Sequence, residues 1–338
     1  MLSISAESHN IKTCKEGALP PRGIIAVSIG LELVVLTPGM VQRYSSAMSL
    51  KGAICFLAIN EIEELPLLAV KSALSESSLD IYIGYTRISD IQDLLINDRV
   101  HAVDLSNNFT SKEVPVQYMD FSTSEFYRIV QLKWALFELL LPQFDFLIYS
   151  DIDVIWLRDA GTYVLDAFQE CPELNFLVQG FTEKVGQELL CMGFAAMRNN
   201  LETVNFIHSC RKLHTDEYLS NKFVGDDEIV TSQYHNLSRP NSIRELPHMY
   251  FPVGRMLNLY STKPVFPGLA APEPYIFHLN YVVGLSNKRL MLRLLRNLKP
   301  VKSTLRNSSF SNWYLLLILK RARFLLGSLK KKLSLDRP

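Results

Sequence analysis

The chain has 338 residues, 48% hydrophobic and 20% charged, with 15 Gly and 16 Pro. This length fits two domains or one large α/β domain with additions. The apolar share excludes a disordered chain, which lacks the surface to offset ordering entropy. The net charge of +1 hides an asymmetry. Residues 299–338 carry ten Lys or Arg against Asp336 alone, +9, which leaves 25 basic and 33 acidic residues, −8, on the other 298. An acidic body with a basic tail predicts an anionic partner for the tail.

In chain order, the first twenty residues are polar and lack the basic-then-apolar pattern of a signal peptide. The apolar stretch 24–36 has 13 residues and contains Glu32. It is too short to span a bilayer and predicts strands. Residues 53–60 read as a buried strand, 65–75 as a helix, 80–85 as a strand, 89–97 as a helix capped by Ser89, and 100–105 as a third strand. Strands alternating with helices predict βαβ units and a mostly parallel sheet. One long helix is expected over 124–141, with Phe126, Ile129, Val130, Trp134, Phe137, Leu140 and Leu141 on one face and Lys133 in its middle. Pro142 ends it, and a strand follows over 144–150. Further on, helices are expected over 162–169, 200–218 and 226–235, and strands over 175–179 and 192–198. Residues 240–275 hold seven prolines and predict irregular chain, followed by a basic amphipathic helix over 286–298. Five cysteines without CxxC spacing predict neither a zinc site nor a disulfide framework, and fit reduced thiols of a cytoplasmic protein.

The segment FLIYSDIDVIWLRD places Asp151 and Asp153 at the C-terminal end of a strand, the edge where open α/β sheets bind ligands. Two carboxylates one residue apart point to the same side of a strand and can share one divalent cation. Hard oxygen donors suit Mg²⁺ or Mn²⁺, which can bridge the phosphates of a nucleotide diphosphate. Flanking apolar runs argue against a solvated turn, because a buried unpaired carboxylate is costly. Lys133 either snorkels to water or meets an anion, a phosphate or an aspartate. Arg128 falls on the opposite, solvated face. In YIFHLNYVVGLSNKR, His278 is a candidate third ligand, Gly284 allows close backbone approach and Lys288 can meet a diphosphate. Asp226, Asp227 and Glu228 open a helix, where they either serve the dipole or face the site.

SDIDVIWLRD, the helix with Lys133, CMGFAAMRNN, GDDEIVTSQYHN and FHLNYVVGLSNK occur in an order that resembles the nucleotide-diphospho-sugar transferase family over roughly residues 50–298. The resemblance implies a GT-A fold: an α/β, Rossmann-like, mostly parallel sheet flanked by helices. It also implies a metal-bound UDP-sugar and transfer with retention; an enzyme held at a membrane would meet a glycan or lipid-linked acceptor. The family's metal ligands fall on Asp151, Asp153 and His278, and its donor-site lysines on Lys133 and Lys288. Its Asp-Gln pair falls on Asp227 and Glu228, with Glu replacing Gln; these two are the candidate catalytic residues. The domain layout is then an N-terminal extension packed on the core (1–50), a GT-A domain (51–298) and a basic amphipathic tail (299–338).

In the tail, Ile318, Leu319, Ala322, Leu325, Leu326, Leu329 and Leu333 share one helical arc, and six cations lie outside it. This predicts a helix lying in the anionic inner face of a membrane, placing the enzyme as a peripheral cytoplasmic protein. No motif for nucleic acid is present. Two alternatives remain at this stage: a haloacid-dehalogenase-like, Mg²⁺-dependent phosphatase or phosphotransferase, which also places a DxD after an apolar strand, and a non-catalytic membrane-associated scaffold.

Overall fold

The computed structural model describes residues 26–29, 32–35, 50–59, 64–108, 123–184, 187–235, 242–254, 274–280, 286 and 288–293. The chain divides into two compact units, residues 1–50 and 51–338. In the first, β1 (Ala26–Ile29) and β2 (Glu32–Val35) form an antiparallel hairpin. The amphipathic tail lies outside the described residues.

The second unit begins with a βαβ arrangement. Strand β3 (Gly52–Leu57) leads to α1 (Leu65–Glu76), with Pro66 in its first turn where no N–H is needed. Strand β4 (Asp80–Tyr85) and strand β5 (Val100–Asp104) follow. The helix expected over 89–97 is instead two 3-10 turns, Ile88–Asp90 and Gln92–Leu94. Asp90 there pairs with Arg87.

The long helix expected over 124–141 is two helices, α2 (Ser124–Val130) and α3 (Leu132–Leu140), followed by a 3-10 turn holding Pro142. At the break the Trp134 N–H donates to Gln131 O, three residues back, at 3.2 Å. The single apolar face does not survive either. Leu132 through Phe137 are all buried, so α3 is enclosed rather than lying on a surface.

Strand β6 (Phe146–Ser150), β7 (Val154–Trp156), α4 (Ala160–Glu170), β8 (Phe176–Lys184) and β9 (Gln187–Arg198) come next. They are followed by α5 (Leu201–Leu219), α6 (Asp226–His235), β10 (Ile243–Leu246) and β11 (Ile276–His278). Asp159 and Asn200 cap α4 and α5 by accepting from Thr162 N and Thr203 N.

The seven-stranded sheet runs β10-β8-β9-β6-β3-β4-β5. Pairs β3/β4, β3/β6, β4/β5 and β8/β10 are parallel, and only β9 runs antiparallel to its neighbours β6 and β8. The sheet is therefore mixed and mostly parallel. A core of β3, α3, β6, β9 and α5 side chains, including Trp134, Phe137, Tyr149 and Phe206, fills one side of it. Strands β7 and β11 form a separate antiparallel pair with Trp156 opposite Ile276. Among the described residues no helix is long and apolar enough to cross a membrane. Cys55, Cys191 and Cys210 are buried free thiols.

Candidate active site

The site is built at the C-terminal end of β6. The Asp151 N–H donates to Gly193 O at 2.8 Å, extending the β6–β9 ladder by one bond. The chain then turns, with Val154 N donating to Asp151 O at 3.1 Å. Asp151 and Asp153 thus lie on a turn between two short strands, not within a regular strand. Both still face one point because that turn is held on both sides. Trp156, fully buried, donates its backbone N–H to Ser72 Oγ at 2.9 Å and its indole N–H to Ser150 Oγ at 3.3 Å.

Strand pairing delivers the histidine. His278 sits opposite Val154 in the β7–β11 register, and Leu279 N donates to Asp153 O at 3.0 Å. His278 Nε2 then lies 3.3 Å from Asp153 Oδ1 and 3.8 Å from Asp151 Oδ2. One ligand atom from each of Asp151, Asp153 and His278 lies within 4.8 Å of the others, a group that can hold a metal ion. The ring fits against β9 only because residue 193 is glycine. A Cβ there would stand 1.9 Å from His278 Cε1.

Two lysines complete the charge pattern. Lys133 is 6% exposed, and its ammonium does not snorkel. It donates to Asp226 Oδ2 at 2.6 Å, lies 3.1 Å from Asp151 Oδ1 and rests 4.7 Å over the Tyr149 ring. Burial acts against its charge, but Asp151 and Asp226 more than offset this and hold its pKa well above an ordinary lysine. Lys288, in the helical residues 288–293, lies 2.5 Å from Asp153 Oδ2. Burial works to raise the Asp153 pKa, yet the Lys288 ammonium opposes it, and that carboxyl is held well below the usual carboxylate range.

The α6 acids separate into three environments. Asp226 is buried against Lys133. Asp227 accepts from Met192 N at 2.7 Å, and burial, then the neighbouring Asp226, push its carboxyl up to about 7. Glu228 is exposed. The sequence points to Asp227 and Glu228, whereas the carboxylate that reaches the Lys133–Asp151 pair is Asp226. Tyr149, whose hydroxyl donates to Asp151 Oδ1 at 2.6 Å, and Gly193 also escaped notice. Their signals are tertiary, although alternation from Asp151 back along β6 places Tyr149 two residues away. Just ahead of α6, Phe223, 43% exposed, stacks on Tyr127 with ring centroids 5.9 Å apart. Arg128 is half-buried.

A mostly parallel α/β sheet with a carboxylate pair, a histidine and two lysines at its strand ends defines a nucleotide-sugar-dependent glycosyltransferase of the GT-A type. The chain belongs to the nucleotide-diphospho-sugar transferase family, whose model matches residues 91–292. This sets aside the phosphatase alternative. No curated protein matches by sequence. Among solved structures, an active-site mutant of LgtC is 11% identical, with 72% of this chain and 95% of that chain covered and a TM-score of 0.50. Mouse xyloside xylosyltransferase 1 is 12% identical, with 68% and 97% covered and a TM-score of 0.44. The glycosyltransferase GlyE of Streptococcus pneumoniae is 18% identical, with 81% of this chain but 64% of that chain covered and a TM-score of 0.47. At these identities the likeness concerns the fold.

Proposed function

We propose that residues 51–298 transfer a sugar from a UDP-sugar to a glycan or lipid-linked acceptor, with Mn²⁺ or Mg²⁺ held by Asp151, Asp153 and His278. The observation that carries this reading is the convergence of those three donors beside two lysines. The donor set fits a hard divalent cation: two carboxylate oxygens and one imidazole nitrogen, with closest separations of 3.3 and 3.8 Å, near the roughly 3 Å between adjacent ligands of an octahedral ion bound at ~2.1 Å. Counting Asp151, Asp153 and Asp226 against Lys133 and Lys288 leaves one net negative charge, which favours a cation.

A divalent ion there supplies Lewis-acid neutralisation of the leaving diphosphate. The protein's own groups then divide the work. Lys133, whose side chain is 7% exposed, is enclosed and fixes Asp151 and Asp226. Lys288, at 19%, is more accessible and can turn from Asp153 to a phosphate oxygen. Preorganised cations stabilise charge that grows as the diphosphate leaves. Asp227 and Glu228, joined by Asp226, are the carboxylates proposed to face the transferred sugar, whose transition state carries oxocarbenium character. The Phe223–Tyr127 stack offers an aromatic face for an acceptor ring. Retention of configuration rests on the family resemblance.

The test is turnover of UDP-sugars against p-nitrophenyl phosphate, with Mn²⁺ and with EDTA, followed by proton NMR of the product anomer. Metal-dependent UDP-sugar turnover is expected, lost in Asp153→Asn while the protein stays folded. Full activity of that variant in EDTA overturns the reading.

We also propose that residues 312–333 attach the enzyme to the cytoplasmic face of a membrane. The support is the sequence pattern: seven small or aliphatic side chains on one arc, with six cations outside it. Co-sedimentation of the full chain with anionic vesicles, weakening as salt rises, is expected. Failure to sediment at low salt overturns it.

A further inference from the structure

The His278 ring has a second nitrogen, and what holds it is outside every motif read from the sequence. Gln179, on β8 opposite Cys191 of β9, is 0% exposed. Its Oε1 lies 2.9 Å from His278 Nδ1, and its Nε2 donates to Phe251 O at 3.1 Å. We infer that Gln179 is a positioning residue that locks His278 in the Nδ1–H tautomer, so that the Nε2 lone pair is presented to the cation; this rests on the metal reading above.

The argument is one of donor and acceptor inventory. An amide carries one acceptor atom and one donor group. Were the Gln179 amide turned over, its oxygen would face the Phe251 carbonyl, two acceptors with no proton between them. The carbonyl of Phe251 therefore fixes which end of the amide meets the imidazole. That end is an oxygen, which can only accept, so Nδ1 must carry the proton. A neutral imidazole with hydrogen on Nδ1 has its lone pair on Nε2, and Nε2 is the atom that faces Asp153 and Asp151. The opposite tautomer sets an N–H between the carboxylates and closes the ring to metal.

The anchor itself is rigid. Phe251 is 1% exposed, and its ring packs against Tyr275 at 5.5 Å and Phe194 at 5.5 Å. The only other described group bonded to Nδ1 is Cys191 Sγ at 3.7 Å, a weak acceptor compared with an amide oxygen. Cys191 in turn receives Asn280 Nδ2 at 3.6 Å. Backing a metal-bound histidine by a hydrogen-bond acceptor fixes ring orientation and tautomer, and loss of such a partner lowers metal affinity by about 10–100-fold.

The experiment uses the full chain without sugar nucleotide, with diamagnetic Mg²⁺ for the spectra, because bound Mn²⁺ is paramagnetic and erases nearby signals, and with Mn²⁺ alone for calorimetry. Long-range proton–nitrogen NMR spectra of histidine-labelled protein, assigned with His278→Gln, report the tautomer directly. The Nδ1–H form is expected in the wild type. In Gln179→Met, similar in size but without an amide, the spectrum should shift toward a tautomer mixture, and Mn²⁺ affinity by calorimetry should fall by about 10–100-fold. Gln179→Glu, which keeps an acceptor on Nδ1, should retain the Nδ1–H form and lose less affinity than Gln179→Met. An Nε2–H imidazole in the wild type overturns the inference, as does wild-type Mn²⁺ affinity in Gln179→Met. An Nδ1–H imidazole in a wild type that binds no Mn²⁺ sinks the metal reading instead, leaving the Gln179–His278 lock standing.

Discussion

Replacing Lys133 by methionine tests the buried charge cluster directly. The side chain keeps its length but not its charge, so Asp226 and Asp151 lose their shared cation at 2.6 and 3.1 Å. Removing one partner of a buried pair costs about 3–5 kcal/mol, because the remaining charge is left unpaired. The lower end applies here: the Asp151 side chain is 28% exposed, so water screens it. A loss of ~3 kcal/mol in a domain of this size lowers the melting temperature by roughly 6–12 °C. Urea unfolding should show the midpoint shift with little change in slope. Adding Asp226→Asn to Lys133→Met removes the orphaned charge and should recover much of the loss, a coupling that distinguishes a charge pair from lost packing. Activity should not return, because Asp151 is still without its lysine. A cost below ~1 kcal/mol with no recovery in the double variant would mean that water reaches the Lys133 ammonium and that the enclosed pair does not exist in solution.

Gly193→Ala should force the His278 ring aside, since the new methyl would lie 1.9 Å from Cε1 where ~3.5–4 Å is normal. The expected cost is ~1–3 kcal/mol with weakened Mn²⁺ binding by calorimetry, and unchanged values for both would refute the close approach. Asp227→Asn keeps an oxygen for Met192 N but removes a carboxyl whose pKa is pushed up to about 7 by burial and then by Asp226. The folded state holds that proton more tightly than the unfolded one, so ionisation costs stability as pH climbs from ~4 to 7. The variant should therefore be more stable than wild type at pH 8, with the gap closing toward pH 4, as denaturant midpoints across pH will show. His214 accepts from Trp134 Nε1 at 2.9 Å through Nδ1, and burial holds its pKa below the ordinary value despite the opposing pull of Asp226. The unfolded chain then binds the proton first. Its contribution is full above ~6.5 and is lost as pH falls. That acid-side slope should flatten in His214→Gln.

How much of this was legible in the chain depends on where each signal resides. Apolar runs such as 53–57 and 146–149 announce their strands locally, because a strand buried on both faces has no polar alternation. Asn200 reads as a helix start for a similarly local reason, its side chain being suited to cap the turn that follows. The break at Gln131 has no Pro or Gly to announce it and depends on a three-residue hydrogen bond that periodicity does not report. Among three consecutive acids, only a partner 93 residues away in sequence selects Asp226. Gln179 and Gly193 matter solely through what packs against them.

The histidine arrives on β11, the last strand of the described fold. During synthesis the carboxylate pair is therefore complete well before its nitrogen donor exists. The growing chain can lay down β3 through β9 and α6, with Lys133 already between Asp151 and Asp226, and still have no third ligand. Competence comes only when β11 pairs with β7 and sets Ile276 against Trp156. A chain cut short ahead of residue 276 lacks both the β11 partner of β7 and His278, and so lacks a complete site.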